Sequence, residues 1–246
     1  MHRFFLEPED VKTDAQVELH NNESVAHISK VLRVKPGELL EIVDSELTMI
    51  GEVLTVNTQS IVLRIIESRP HENESNVKID LYQCLPKGQK LELILQKNVE
   101  LGVSSFYLVQ SNRCIVDYKP KDLPKKLERL NKIIKEAAKQ SKRDRIPSLE
   151  GVLSIKEVSK RIGQYDDFIV LYEREDAQSI KARLRNFKGK SLALLIGPEG
   201  GLDLNEVELL TQSGAMSTTL GNRILRTETA GFVAVTCVQY EMGALE

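Results

Sequence analysis

The chain has 246 residues, of which 41% are hydrophobic, and a formal net charge of −2. This balance is typical of one large globular domain or two smaller ones. No apolar run is long enough to span a bilayer, and the N-terminus turns acidic at Glu7, too early for a signal peptide. We therefore expect a cytoplasmic protein that has no membrane partner.

Scarce histidines and isolated cysteines restrict the possible chemistry. The four histidines all precede residue 77: His2, His20, His27 and His71. A Ser-His-Asp or Cys-His hydrolase site built within the later part of the chain is therefore excluded. Cys84, Cys114 and Cys237 lack CxxC spacing, so neither a disulfide framework nor a metal site is predicted.

Short strand-like segments, separated by Asn, Asp, Gly or Pro, dominate the first seventy residues. These segments are Arg3 to Glu7, Gln16 to His20, Leu39 to Asp44, Met49 to Val56 and Ile61 to Ser68. A small barrel is the natural way to bury so many short strands, and residues 1–70 are predicted to form one.

One helix is predicted to interrupt these strands. Asn22 can cap it, and Val25, Ile28, Val31 and Leu32 recur at helical spacing. The polar stretch that follows the last strand, residues 70–76, breaks both periodicities and is predicted to be a linker.

From residue 77 to 246, strands alternate with helices, a pattern that predicts an α/β domain with a parallel sheet. The predicted strands are Val77 to Leu85, Phe106 to Val109, Phe168 to Tyr172 and Leu192 to Ile196. The predicted helices are Lys87 to Leu101, a long helix over 123–138, one begun by Asp203 and Glu206, and an almost wholly apolar one from Thr227 to Met242.

Two glycine-containing runs each follow a strand and open a helix. They are IGPEGG at 196–201 and LGNRILRTETA at 220–230. Ligands of open α/β sheets bind at such strand ends, and glycine lets the backbone approach them closely. Neither run is GxGxxG or GxxxxGK[ST], so the two runs predict a backbone-lined cleft of another kind.

These runs resemble those of the bacterial 16S ribosomal RNA uracil-N3 methyltransferases, a family of the SPOUT superfamily. Four further matches follow in the family's order: HRFF at 2–5, HISKVLR at 27–33, QKNVELGV at 96–103, and EAAKQS at 136–141 with Arg143, Arg145 and Pro147. Asn222 departs from the pattern, since the family has proline there, and Cys114 replaces a small residue.

The resemblance implies a fold and a reaction. The fold is a PUA-like β-barrel over 1–70 and a trefoil-knotted α/β methyltransferase domain over 77–246. The reaction is methyl transfer from S-adenosylmethionine to N3 of a uridine in 16S ribosomal RNA, in the decoding region of the small subunit. The resemblance also implies a metal-free homodimer that packs through the C-terminal helix.

By the same resemblance, the two runs and a neighbouring strand end bind S-adenosylmethionine. The implied cofactor residues are Leu171, Tyr172, Gly197, Pro198, Glu199, Gly200, Gly201, Leu220, Gly221, Ile224, Leu225, Thr229 and Ala230. A simpler interpretation makes 197–201 a tight turn whose Glu199 serves the next helix N-terminus.

A polar cluster directly before the last helix suits the chemistry. Uracil N3 carries a proton, so a cation near its oxygens would stabilise the anion and a carboxylate would take the proton. Arg226 and Arg223 suit the first role and Glu228 the second. The simpler interpretation is a helix capped by Thr227 with Glu228 in its first turn.

A basic stretch over 119–145 contains eleven lysines and arginines against four acidic residues, a local net charge of +7. Such a cluster suits RNA phosphates, although a solvated helix face has the same composition. The predicted RNA-binding residues are His2, Arg3, His27, Lys30, Arg33, Lys142, Arg143 and Arg145. Two alternatives stay open: methylation of another RNA atom, and a non-catalytic ribosome-assembly factor.

Overall fold

A computed structural model describes residues 1–175 and 178–245. The chain forms two compact units. Unit 1 contains Met1–Glu74 together with the later segment Lys139–Arg145, and unit 2 contains Ser75–Ala138 and Ile146–Glu246. Among the described residues, no helix combines the length and apolarity needed to cross a membrane.

Unit 1 is a curled six-stranded sheet around its own core. Its strands are β1 His2–Phe5, β2 Val11–Lys12, β3 Gln16–Leu19, β4 Leu39–Val43, β5 Leu47–Val56 and β6 Ile61–Pro70. The order is β1-β4-β5-β6-β3-β2, antiparallel except for the β1–β4 pair. The five predicted strands are confirmed, whereas the two-residue β2 was not predicted.

The predicted helix is present but changes type along its length. Helix α1 covers Asn22–Ala26 and continues as a π-helix over His27–Leu32. Its cap is Asn21, whose side chain accepts from the Ser24 N–H, so the assignment of the cap to Asn22 was wrong. Because a π-helix has a wider turn, Val31 leaves the buried face and is 70% exposed, which the helical spacing did not predict.

A buried ionic network joins β1 to the segment Lys139–Arg145 inside unit 1. The Arg3 guanidinium is bonded to Glu41, to Asp144, and to the backbone carbonyls of Lys142 and Arg143. Buried ions need partners of this kind, because an unpaired buried charge is costly. The network therefore fixes β1 to a segment far away in sequence.

The stretch predicted as a linker is bound to the same network. The Asp144 carboxylate accepts hydrogen bonds from the N–H groups of Glu72 and Asn73, at 3.0 and 2.7 Å. Arg143 donates to the Glu74 carboxylate at 2.6 and 2.8 Å. Residues 72–74 are therefore held by hydrogen bonds within unit 1.

Unit 2 contains a six-stranded parallel sheet with helices in the connections, as predicted. Its strands are β7 Lys78–Cys84, β8 Ser105–Gln110, β9 Ser148–Ser154, β10 Asp167–Leu171, β11 Ser191–Ile196 and β12 Met216–Thr218. Its helices are α2 Lys90–Glu100, α3 Leu123–Gln140 (which ends in unit 1), α4 Ile155–Ser159, α5 Ile180–Arg185, α6 Leu204–Gln212 and α7 Thr227–Glu241.

The strand order β12-β10-β11-β7-β8-β9 places β7 and β11 at the centre. Strands β9 and β12 and the short helices α4 and α5 were not predicted. The start of α6 was predicted, and Asp203 and Glu206 form a capping box there. Helix α7 packs against α2, α5, β7 and β11, which buries Ala234, Val235 and Val238.

Candidate functional site

A cavity of about 730 Å³ opens at the carboxyl ends of three neighbouring strands of unit 2. It lies where β10, β11 and β12 give way to loops, so it is built from residues 171–175, 196–201 and 219–227, together with Ala230. Parallel strands carry their carboxyl ends at one edge of the sheet, which is why loops from separate parts of the chain converge there. The volume falls in the range of small-molecule sites.

Most of the predicted cofactor residues line this cavity. All of them except Thr229 are in its wall, which additionally contains Glu173, Arg174, Thr219, Asn222 and Thr227. The candidate catalytic arginines Arg223 and Arg226 also line it, whereas Glu228 does not.

The loop after β11 owes its shape to glycine. Gly201 has φ +67°, a conformation that L side chains rarely adopt, and its N–H donates to the Pro198 carbonyl at 2.9 Å. A Cβ on Gly201 would lie 2.5 Å from Glu173 Oε1. A larger residue would therefore push into the carboxylate on the neighbouring loop.

A hydrogen-bond chain links this loop to the start of α7. Thr227 donates its hydroxyl to the Gly197 carbonyl at 2.7 Å, and it accepts from Gln83 Nε2 at 2.9 Å. Gln83 is fully buried in β7. The helix cap is Arg226 and not Thr227, because the Thr227 hydroxyl is directed at the loop and not at its own helix.

The loop after β8 supports the cavity from outside. Arg113 donates to the Gly200 carbonyl at 3.0 Å and pairs with Asp203 at 3.3 Å. Next to it, a hydrogen bond with the Cys84 thiol lowers the pKa of Cys114 to about 6, and Ser111 contributes further hydrogen bonds. Burial raises the pKa of Cys84 well above its ordinary value.

Lys90 lies between two carboxylates of the candidate site. Its Nζ is 3.0 Å from Glu199 Oε1 and 3.3 Å from Glu228 Oε2. The Lys87 N–H also donates to Glu199 at 3.1 Å. Burial on its own would raise the pKa of Glu199, but the hydrogen bonds from Lys90 and from the Lys87 N–H, together with the Lys90 charge, outweigh burial and lower this pKa. In turn, the hydrogen bond with Glu199 raises the pKa of Lys90.

The cavity combines backbone groups on one side with cationic side chains on another. Arg223 and Arg226 are exposed at its rim, in the loop that leads into α7. The N-terminus of α7 adds the positive end of its dipole. This arrangement suits a ligand that develops negative charge near the two arginines.

The predicted RNA-binding residues all belong to unit 1. Four of them are exposed: His2, Lys30, Arg33 and Arg145. His27 and Lys142 are half-buried, and His27 packs edge-on against Phe4. Arg3 and Arg143 are 4% exposed and bonded within the ionic network, so their guanidinium groups serve the fold of unit 1.

Several residues of the site were not predicted from the sequence, among them Lys90, Gln83 and Arg113. Gln83 carried a usable signal, since it is a polar residue near the carboxyl end of an apolar strand. Lys90 and Arg113 carried no such signal, because they are distant in sequence from the cavity loops and only the fold brings them close. Within the described ranges, no group of three or more His, Cys, Asp or Glu side chains could hold a metal ion.

Comparison with known proteins identifies the family. The profile of the RNA methyltransferase domain family matches residues 73–239. A curated relative, ribosomal RNA small subunit methyltransferase E of Bacillus subtilis strain 168, is 35% identical over 98% of this chain and 97% of its own length. The Mycobacterium tuberculosis protein of the same name is 30% identical over 86% of this chain and 82% of its own.

Two solved structures have the same fold. The Neisseria gonorrhoeae ribosomal RNA small subunit methyltransferase E, bound to S-adenosylmethionine, has a TM-score of 0.85 at 29% identity and covers 98% of this chain and 97% of its own. A putative methyltransferase of Legionella pneumophila, with the same cofactor bound, has a TM-score of 0.85 at 28% identity over 97% and 96% of the two chains. The chain therefore belongs to the ribosomal RNA small subunit methyltransferase E family.

Proposed function

We propose that the protein transfers a methyl group from S-adenosylmethionine to N3 of a uridine in 16S ribosomal RNA of the small subunit. The observation that carries the proposal is the cavity at the ends of β10, β11 and β12, lined by glycine loops and by Arg223 and Arg226. Membership of the family supports the cofactor and the RNA substrate, and the chemistry of the rim supports the choice of an acidic nitrogen.

The cavity fits S-adenosylmethionine in size and in the character of its walls. Leu220, Ile224 and Leu225 line it and are the residues whose backbone groups we assign to the adenine, and the loop over 197–201 has no side chains at its three glycines. When bound, S-adenosylmethionine supplies an electrophilic methyl group on a sulfonium. Among the described residues, the cavity walls also carry the carboxylates of Glu173 and Glu199, which suit a cationic ligand.

The residues of this chain prepare the nucleophile. Arg226, and beside it Arg223, stabilise the negative charge that the uracil oxygens gain when N3 loses its proton. Glu228 takes that proton, acting as the general base. Since Glu228 lies just outside the cavity wall and contacts Lys90, its approach to the base requires the uridine to enter beside the start of α7.

Unit 1 supplies the proposed RNA contacts. The domains that we propose are a PUA-like barrel over 1–70 and a trefoil-knotted methyltransferase domain over 77–246; the curled sheet of unit 1 and the parallel sheet of unit 2 support the coarse division into a β part and an α/β part. The exposed residues Lys30, Arg33 and Arg145 are the proposed phosphate contacts, and His2, exposed at the start of β1, is a further proposed RNA contact. Arg3 joins β1 to the backbone of Lys142 and Arg143, so two stretches distant in sequence are neighbours within this unit.

A cytoplasmic homodimer is the proposed working form. Helix α7 keeps part of its surface uncovered: Phe232, Val233 and Cys237 are half-buried, and Tyr240 is 75% exposed. A second copy that packs its own α7 on this surface would remove it from water. Light scattering that finds a stable monomer at micromolar concentration contradicts the dimer.

The proposal is tested by mass spectrometry of ribosomal RNA from a strain that lacks the gene. We expect one uridine in 16S RNA to lose an N3 methyl group, which the purified protein with S-adenosylmethionine restores. Loss of a ribose 2′-O-methyl group instead would identify a different acceptor atom. Unchanged methylation together with defective subunit assembly would favour a non-catalytic assembly factor.

A further inference from the structure

We infer that Lys90 is a positioning residue for the proposed methyl transfer, because its ammonium holds the Glu228 carboxylate beside the Glu199 loop of the cavity. The inference rests on the proposed function, in which Glu228 accepts the uracil proton. It adds a residue that lies on a different helix and far away in sequence from both carboxylates.

The Lys90 side chain lies within reach of both carboxylates. Lys90 opens α2, and its side chain is about one-third exposed at 33%. From there, Nζ reaches Glu199 on the loop after β11 and Glu228 in the first turn of α7, at 3.0 and 3.3 Å. One cation therefore connects the loop after β11, which lines the cavity, to the first turn of α7.

The surroundings of Glu228 make the position of its carboxylate depend on Lys90. Its Oε2 atom is buried, and it has no hydrogen-bond partner among the described residues, although Lys90 is within ion-pair distance. A buried carboxylate oxygen without a donor is costly, so it depends on the nearby positive charge. Removing Lys90 would let this carboxylate turn towards water and leave its position near the start of α7.

The two carboxylates differ in the donors that they would keep without Lys90. Glu199 has a second donor, the Lys87 N–H, and stays attached to the start of α2 when Lys90 is lost. Among the described residues, no second donor of this kind faces the Oε2 atom of Glu228. The loss of Lys90 is therefore expected to disturb the proton acceptor more than the cofactor wall.

The experiment compares single-turnover methyl transfer to ribosomal RNA, cofactor affinity by calorimetry, and RNA affinity. Lys90→Met is expected to slow transfer by roughly tenfold to a hundredfold, part of the usual contribution of a positioned base, and to change both affinities by less than about threefold. Lys90→Arg is expected to recover most of the rate, because it keeps the charge. Lys97→Met is the matched control, since Lys97 forms an ion pair with Glu100 on the same helix.

A double-mutant cycle then separates positioning from a general structural effect. In a Glu228→Gln background, Lys90→Met is expected to have little further effect on the rate, because the group that it positions is already gone. Equal effects of Lys90→Met in both backgrounds would overturn the inference, as would a Lys90→Arg variant no faster than Lys90→Met. A parent protein that transfers no methyl group would instead overturn the proposed function itself.

Discussion

The Thr227 hydroxyl donates a 2.7 Å hydrogen bond to the carbonyl of Gly197, joining the first residue of α7 to the loop after β11. Gln83 of β7 donates to the same hydroxyl. Three segments that are distant in sequence therefore share one buried contact at the wall of the cavity. The spacing between the two cavity loops depends on this hydroxyl.

Thr227→Val keeps the shape of the side chain and removes both hydrogen bonds. An unsatisfied buried polar group costs about 1–3 kcal/mol, so we expect S-adenosylmethionine binding to weaken by roughly tenfold. Calorimetry measures this directly. Thr211→Val is the control, because Thr211 bonds only to carbonyls of its own helix α6. Equal affinities of the parent and Thr227→Val would show that the contact is dispensable.

Arg226→Ala removes one of the two cations at the cavity rim. If Arg226 stabilises the uracil anion, single-turnover transfer should fall by roughly a hundredfold or more, while cofactor affinity changes little. Arg185→Ala, an exposed arginine at the end of α5, serves as the control. A fall in cofactor affinity as large as the fall in rate would assign Arg226 to cofactor binding.

Arg33→Glu tests the RNA surface of unit 1. Arg33 is exposed and ends the π-helix with φ +54°. Loss of one phosphate contact should weaken RNA binding and reduce the slope of log K against log salt by about one unit. Cofactor binding should stay intact. Arg64→Glu on β6 makes the same charge change elsewhere in unit 1 and is the control. If both variants lose RNA affinity equally, the effect comes from the net charge of unit 1 and not from a contact of Arg33.

Asp144→Asn should destabilise unit 1 by about 1–3 kcal/mol, because Arg3 keeps Glu41 but loses one of its two carboxylate partners, and the N–H groups of Glu72 and Asn73 lose a charged acceptor. Burial would raise the pKa of the Asp144 carboxyl, but hydrogen bonds from Asn73, Thr48 and Glu72, together with the Arg3 charge, lower it below its ordinary value. A lowered folded-state pKa stabilises the fold above the unfolded-state pKa, and this stability is lost as pH falls through the folded value.

Urea unfolding at neutral and acidic pH measures both the destabilisation caused by Asp144→Asn and the contribution of Asp144 to the pH dependence of stability. The parent should lose stability below about pH 4, the ordinary range of an aspartate, and the Asp144→Asn variant should lose less over the same interval. Parallel losses in the two proteins would assign the acid sensitivity to other carboxyls.

Cys114 should react with iodoacetamide far below the pH at which ordinary thiols do. Its hydrogen bond with Cys84 lowers its pKa to about 6, and the thiolate is the reactive form. The rate of its alkylation should therefore rise through pH 6 and level off, whereas Cys84 and Cys237, whose pKa values are raised by burial, react later. Mass spectrometry assigns the site, and Cys114→Ser should abolish the early phase.

Much of the architecture was predictable because it depends on local pattern. The alternation of strands and helices after residue 77, and the short strands before residue 70, follow from apolar periodicity and turn residues. Val31 was placed wrongly, since a π-helical turn changes which side chains share a face and has no simple sequence signal. The short β12 was missed because three residues carry too little periodicity.

The candidate site, too, was predictable only where it depends on local sequence pattern. The two glycine runs could be assigned to a cleft, because their composition and position after strands are visible in the sequence. Lys90 could not, since only the fold brings α2 to the start of α7. Arg3 and Arg143 were assigned to RNA binding, but the structure places both in buried ion pairs. In the sequence, an arginine that contacts RNA cannot be distinguished from one that forms a buried ion pair, and only the structure shows their partners Glu41 and Glu74.

The contribution of Lys139–Arg145 to unit 1 constrains the order of events during synthesis. Residues 1–74 are synthesised long before residues 139–145. Until the later segment emerges, Arg3 lacks its contact with Asp144, and Glu41 lacks its contact with Lys142. Domains commonly fold as soon as they emerge, but this one can complete its interior only after more than half of the chain has been translated. A nascent chain halted before residue 139 should remain sensitive to proteases.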